Sequence, residues 1–275
     1  MYFQYFDLRK EPTEHGCMPR VKFYLIDRWK ESVRPMVIVV PGGGYGGVCQ
    51  DREGERIALS YNAAGYHSAV VEYAVSPHRY PEQLKNLAEA VRIARTHASE
   101  WQLDPHKIAV CGFSAGGHLC ASLSTMWNDP TVFSFEDISS RICRPDAAVL
   151  SYPVITSGDK AHANSFKRLL GENPDPELLK KVSLENQVDP ETCPAFIWAT
   201  FTDEIVPVEN SLLYASALRT NGVPFELHVY PNGKHGLALQ SDEVIWSKPD
   251  RGRDYNWMGM SVDWLNELFG YIPGK

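Results

Sequence analysis

The stretch KIAVCGFSAGGHL, Lys107 to Leu119, passes from continuous apolar residues through a cluster of small ones into a helical pattern, with Ser114 seated between two glycines. Its first half has the composition of a strand covered on both faces, and its second half that of a helix beginning at once. In that setting Gly112-Phe113-Ser114-Ala115-Gly116 reads as G-x-S-x-G. Such a strand-to-helix turn holds the serine in a strained conformation and presents its hydroxyl at the carboxyl end of a sheet. The five-residue pattern alone arises by chance in about one chain of this size in ten, so its surroundings must carry the reading.

Those surroundings alternate strand and helix. Six further or overlapping apolar runs read as strands: Met36 to Val40, Ser68 to Val75, Lys107 to Gly112, Asp146 to Pro153, Pro194 to Phe201 and Phe225 to Pro231. Between them, Leu84, Leu87, Ala88, Val91 and Ala94 fall at helical spacing, as do Val208, Leu212, Ala215 and Leu218 after Pro207. The alternation predicts an α/β protein with a mostly parallel sheet and helices on both faces. FQYFDL and VKFYLI near the start read as antiparallel edge strands. The polar stretch from residue 155 to 193 reads as a small insertion over the strand ends, within one domain spanning 1–275.

Charge and composition narrow the partners. Lysine and arginine number 27 against 34 aspartate and glutamate, a net charge of −7 with no dense basic cluster, so neither nucleic acid nor a membrane surface is the expected partner. MYFQYFDLRKEPTEHG lacks a signal-peptide pattern, and no apolar run approaches the roughly 18 residues that span a bilayer. Six scattered cysteines without a C-x-x-C pair suit free, mostly buried thiols. The expectation is a soluble, cytoplasmic protein.

A serine hydroxyl attacks a carbonyl only when a base takes its proton, and a histidine base needs a carboxylate to fix its tautomer and support its charged form. Asp203 follows the run ending at Phe201, and His235 follows the run ending at Pro231, so both sit at predicted strand ends in the order Ser, Asp, His. Glu204 is a rival acid, and His228 reads as core. The glycine run Pro41-Gly42-Gly43-Gly44-Tyr45 follows another strand. Its backbone N–H groups, with that of Ala115, could bind the oxyanion of a tetrahedral intermediate. It lacks G-x-x-x-x-G-K-[ST], so a phosphate cradle leaves Ser114, Asp203 and His235 unexplained.

PGGGY, GFSAGGHL, TDEIVPVENS and GKHG, in this order, resemble the serine esterase branch of the α/β-hydrolase superfamily. The likeness covers about Val37 to Gly236 and runs toward bacterial acetyl-xylan and feruloyl esterase-like carboxylesterases related to the hormone-sensitive-lipase group. It implies an α/β-hydrolase fold with a minimal cap, with Ser114 as nucleophile, His235 as base and Asp203 as acid. Gly43, Gly44 and Ala115 become the oxyanion donors. It also implies an acetylated carbohydrate ester as substrate, no cofactor or metal, and a possible homodimer. Where lipase relatives carry His before the glycines this chain has Pro41, which favours the sugar-esterase side.

Other residues invite chemistry and have plainer readings. His118 and Cys111 flank the turn and read as packing residues; His15 and Cys17 offer only two metal ligands. Tyr45, Tyr152, Trp127 and Trp257 are candidates to line an acyl or sugar pocket, although such aromatics are commonly core. Two other functions use the same scaffold: a peptidase or formamide hydrolase with the same three residues, and a ligand-binding protein without turnover.

Overall fold

The computed structural model describes residues 1–27, 32–241 and 255–273. Eight strands form one sheet: β1 Tyr2–Asp7, β2 Arg20–Leu25, β3 Arg34–Val40, β4 His67–Glu72, β5 Leu103–Phe113, β6 Ala147–Ser151, β7 Ala195–Thr200 and β8 Phe225–Tyr230. Their order is β1-β2-β4-β3-β5-β6-β7-β8. β2 runs antiparallel to both β1 and β4, and every other pairing is parallel. The six predicted parallel strands are all present. Only β1 is an edge at that end, because β2 lies between it and β4; the sequence expectation of two edge strands is corrected to one.

Ten α-helices are found among the described residues: α1 Gln50–Glu53, α2 Glu55–Ala63, α3 Glu82–Thr96, α4 Ala98–Trp101, α5 Ala115–Met126, α6 Phe135–Ser140, α7 Ala163–Leu170, α8 Pro176–Lys181, α9 Glu209–Thr220 and α10 Trp257–Phe269. Successive strand residues point to opposite faces, and here both faces are covered. Ile38, Val110, Leu150 and Ile197 pack with Leu87 and Val91 of α3, Leu123 of α5 and Leu218 of α9. Val39, Cys111, Val149 and Trp198 pack with Tyr61 of α2 and Leu265 of α10. This two-sided burial is why the strands read as continuous apolar runs and not as alternating ones.

The centre of the sheet needs close backbone approaches. A Cβ on Gly116 would fall 2.1 Å from the Val40 carbonyl oxygen and 2.5 Å from that of Pro41, and one on Gly112 would fall 2.3 Å from the Gly116 carbonyl oxygen. These glycines let the first turn of α5 lie directly against β3 and β5. Gly116→Ala is therefore expected to cost about 3 kcal/mol or more, since backbone, not a flexible side chain, must move. A thermal melt should show Tm falling by about 5–10 °C, whereas Gly47→Ala, whose added methyl meets open space, should change it by less than about 1 °C.

Candidate active site

The strand ends β3, β5, β6, β7 and β8 converge on Ser114. The turn between β5 and α5 puts Ser114 at φ 52°, ψ −118°, a backbone region that non-glycine residues occupy only when the surroundings hold them there. The hold is visible. The Ser114 N–H donates to the Ser151 carbonyl at the end of β6 (3.0 Å), and its own carbonyl accepts from the N–H groups of His118 and Val154, 3.1 Å each. The hydroxyl then faces His235, with Oγ 2.8 Å from Nε2.

On the far side of that imidazole, Nδ1 lies 2.7 Å from Asp203 Oδ2. The Asp203 side chain is wholly buried, and its Oδ1 accepts the N–H groups of Ile205 and Val206, 2.9 Å each. Both carboxylate oxygens are thus occupied by donors, which fixes the group's orientation. The neighbouring Glu204 is exposed and takes no part. The loop carrying His235 is latched to β7: Thr200 Oγ1 and Thr202 Oγ1 donate to the Gly233 carbonyl at 2.9 and 3.1 Å. The three residues singled out from sequence are therefore brought into one hydrogen-bonded line from three different strand ends.

The glycine loop after β3 lies beside them. The Cβ position of Gly42 is 3.0 Å from Ser114 Cβ. Among the described residues, the N–H groups of Gly43, Gly44 and Ala115 donate to no protein acceptor. Free donors of this kind, backed by the N-terminus of the twelve-residue helix α5, are suited to hold developing negative charge. The loop is pinned from below: Tyr73 Oη donates to the Pro41 carbonyl (2.8 Å), and the Tyr45 carbonyl accepts from the Ser76 N–H (2.8 Å).

The aromatic pocket candidates are corrected by burial. Tyr45 is 1% exposed, and its hydroxyl lies 2.7 Å from His118 Nδ1. His118 Nε2 is 2.9 Å from the Val182 carbonyl, and burial lowers the His118 pKa to about 4. The imidazole is thus neutral, Nε2–H donating to Val182 and Nδ1 accepting from Tyr45; it is packing, as its sequence context suggests. Trp127 caps the far end of α5, buried beneath Arg141 and Arg144, three helical turns from Ser114 and unable to line its pocket. Trp257 is buried against Trp198 and Phe113. Tyr152 is also buried, but its ring packs edge-on against His235 with centroids 5.0 Å apart, so it supports the site without facing substrate. The Cys111 thiol is pushed up to about 12 by burial, which leaves it unreactive. His228, expected in the core, is half-buried, because β8 is the far edge of the sheet.

Residues from the insertion form the wall that sequence reading did not supply. Arg168 Nη1 lies 3.1 Å from the Cβ position of Gly44, and its guanidinium rests within 2.9 Å of that of Gly46. His162 Nδ1 bonds Ser165 Oγ at 2.8 Å. The His162 pKa is lowered by burial, then by the neighbouring charges of His235 and Arg168. Among the described residues Arg168 pairs with no carboxylate. Phe201 and Ile205, two residues either side of Asp203 in the chain, are exposed at 69% and 53%. Among the described residues no three His, Cys, Asp or Glu side chains converge as a metal site, and no helix is long and apolar enough to cross a membrane.

The BD-FAE family model matches residues 22–218. The chain is 41% identical over 245 residues to endo-1,4-beta-xylanase B of Butyrivibrio fibrisolvens, covering 86% of this chain and 37% of that protein. It is 33% identical over 208 residues to an acetylxylan esterase of Xylanibacter ruminicola, covering 74% and 41% respectively. The chain thus spans about two fifths of the length of these curated relatives. Among solved structures, the acetyl ester-xyloside bifunctional hydrolase of Caldicellulosiruptor lactoaceticus superposes with a TM-score of 0.83 at 38% identity, covering 98% of this chain and 97% of the other. The fold is that of the α/β hydrolases.

Proposed function

Because the chain belongs to the BD-FAE family, we propose that it is a serine carboxylester hydrolase that removes short acyl groups, acetyl foremost, from carbohydrate alcohols. The observation that carries the reading is the hydrogen-bonded line Ser114–His235–Asp203 beside unoccupied backbone donors. Ser114 Oγ attacks the ester carbonyl as His235 Nε2 takes its proton, and the oxyanion meets the N–H groups of Gly43, Gly44 and Ala115. Asp203 holds the proton on Nδ1 and stabilises the imidazolium. Collapse of the intermediate passes that proton to the leaving alcohol and leaves an acyl-serine. Water, deprotonated by His235 in the same position, then releases the acid.

The acetylated-sugar assignment is supported by the relatives named for acetylxylan and acetyl ester-xyloside hydrolysis and by the polar wall of His162, Ser165 and Arg168 over the glycine loop. Glycoside cleavage is less well served. It calls for a carboxylic acid and a carboxylate free to flank the scissile bond, whereas both oxygens of Asp203 and of Glu53 are taken by internal donors.

The test is acetate release from acetylated xylo-oligosaccharides beside p-nitrophenyl acetate and a formyl amide. The esters should be cleaved and the formyl amide turned over at least about 100-fold more slowly; the reverse order would favour a formamide hydrolase. Arg168→Ala should raise KM about 3–10-fold on the oligosaccharide and leave p-nitrophenyl acetate within about twofold, as expected for a lost contact to the sugar. Equal effects on both substrates would move Arg168 out of the sugar site. Ligand binding without turnover of any ester would favour the binding-protein reading.

A further inference from the structure

Glu53 is a buried carboxylate, 2% exposed, which the mechanism above leaves unused. We propose that it is a positioning residue for ester cleavage: its carboxylate ties the oxyanion loop to the loop carrying His235, and its charge supports the imidazolium from beneath. The inference rests on the esterase reading above. Glu53 Oε2 accepts the Gly42 N–H at 2.7 Å, immediately before the oxyanion donors Gly43 and Gly44. Its Oε1 accepts the Tyr152 hydroxyl at 2.9 Å. Tyr152 Oη in turn accepts the Ala238 N–H at 3.0 Å, three residues beyond His235, and the Ala238 carbonyl accepts Trp257 Nε1–H at 2.7 Å. One strut therefore runs from the β3 loop, under the end of β6, to the β8 loop.

The donors suit a carboxylate. The Gly42 N–H points to Oε2, and because Tyr152 Oη already accepts the Ala238 N–H its own proton is directed to Oε1, so both oxygens accept. Burial pushes the Glu53 pKa up, while the Gly42 N–H, the Tyr152 hydroxyl and the charges of Arg52 and His235 oppose it. The Tyr152 ring separates Glu53 from His235, so the carboxylate acts through space and through that ring without touching substrate. Other titratable groups face the pair. Arg52 and Cys49 lie beside Glu53 on its own segment, with Tyr73, Cys111 and Tyr152 across from it. Asp203 and His162 stand near His235. Of these, Glu53 and Tyr152 together link the two loops by hydrogen bonds.

The experiment measures kcat, KM, thermal melts and the pH profile of kcat/KM on p-nitrophenyl acetate for wild type, Glu53→Gln and Tyr152→Phe. Wild-type turnover that vanishes in Ser114→Ala checks the esterase reading separately; failure there sinks that reading, not the strut alone. Glu53→Gln keeps the shape, but its amide can accept at one oxygen only. Its kcat should fall about 30-fold with KM within about twofold, as a displaced constellation does. Removing a negative charge near His235 makes the imidazolium harder to form, so the acid limb of the profile should move to lower pH by about half a unit. Tyr152→Phe breaks the strut but retains the carboxylate, so kcat should fall about tenfold with the limb nearly in place. A Glu53→Gln enzyme within twofold of wild type overturns the proposal. So does one whose kcat falls while the limb stays put, since simple loosening would do that. If Glu53→Gln does not fold, Tyr152→Phe decides: a tenfold loss of kcat at unchanged KM supports the strut, and wild-type kcat overturns it.

Discussion

Replacing Ser114 with alanine is expected to lower kcat/KM on p-nitrophenyl acetate by about 10⁴–10⁶-fold, the range found when a serine nucleophile is removed from a histidine-activated pair. The loss should appear in kcat. The thiol on this strand, Cys111, is buried and held protonated, so it cannot stand in for the hydroxyl. The backbone bonds that hold position 114, to Ser151, Val154 and His118, do not involve the side chain, so the turn should survive. Alanine at φ 52° bears the same strain as serine, and Tm should stay within about 2 °C of wild type. Adding His235→Ala to Ser114→Ala should cost little more, because the two residues act as one unit. A Ser114→Ala protein that retains more than a hundredth of wild-type activity, free of contaminating esterase, would show that another nucleophile does the work.

What the sequence made legible follows from where the physics is local. Parallel strands buried on both faces must be apolar throughout, so β3, β4, β5, β6 and β7 stood out as runs, and β8, half-buried at the far edge, kept enough apolar residues to be read with them. Serine, aspartate and histidine each stood just beyond such a run, and chain order alone paired them. The predicted strand through Val75 overran β4, because the chain leaves the sheet after Glu72 to brace the site: Tyr73 reaches the Pro41 carbonyl, and the Ala74 N–H donates to Asn86 Oδ1. Helix α10 escaped notice because one of its inward positions is Ser261, bonded to Tyr61 Oη at 3.0 Å, which breaks the apolar stripe.

The missed residues share a cause. Glu53 lies in CQDREGER, a run that reads as solvated charge; only tertiary structure brings Gly42 and Tyr152 to its two oxygens. Arg168 and His162 lie in a polar insertion with no periodicity to mark an inner face, and their place over the glycine loop depends on how that insertion folds back. The aromatics erred in the opposite direction. Large rings near the motifs suggested a pocket, yet Tyr45, Tyr152 and Trp257 are where the sheet's two cores meet the strand ends. Sequence singled out the three side chains that the structure aligns, and the structure supplied the groups that hold and frame them.

Asp203→Asn should lower kcat by about 10³–10⁴-fold with little change in KM or fold, and the reason lies in the two backbone donors at Oδ1. Asn is nearly isosteric, and its single carbonyl oxygen must stay with the N–H groups of Ile205 and Val206, 2.9 Å away; turning it would press two amide protons against them. The NH₂ therefore takes the place of Oδ2 and points at His235 Nδ1, 2.7 Å distant. A donor there forces Nδ1 to accept, so the imidazole proton moves to Nε2. Nε2–H then faces Ser114 Oγ at 2.8 Å and cannot take its proton. The base is lost through its tautomer, with every side chain still in place. Raising the pH restores the serine alkoxide without help from His235, so the variant's residual rate should keep climbing with hydroxide where the wild-type profile is flat. Esterase assays from pH 6 to 10 check this. A variant with a wild-type-shaped profile and a loss below tenfold would mean that Asp203 serves only to anchor its loop, and that the acid partner of His235 must be sought elsewhere.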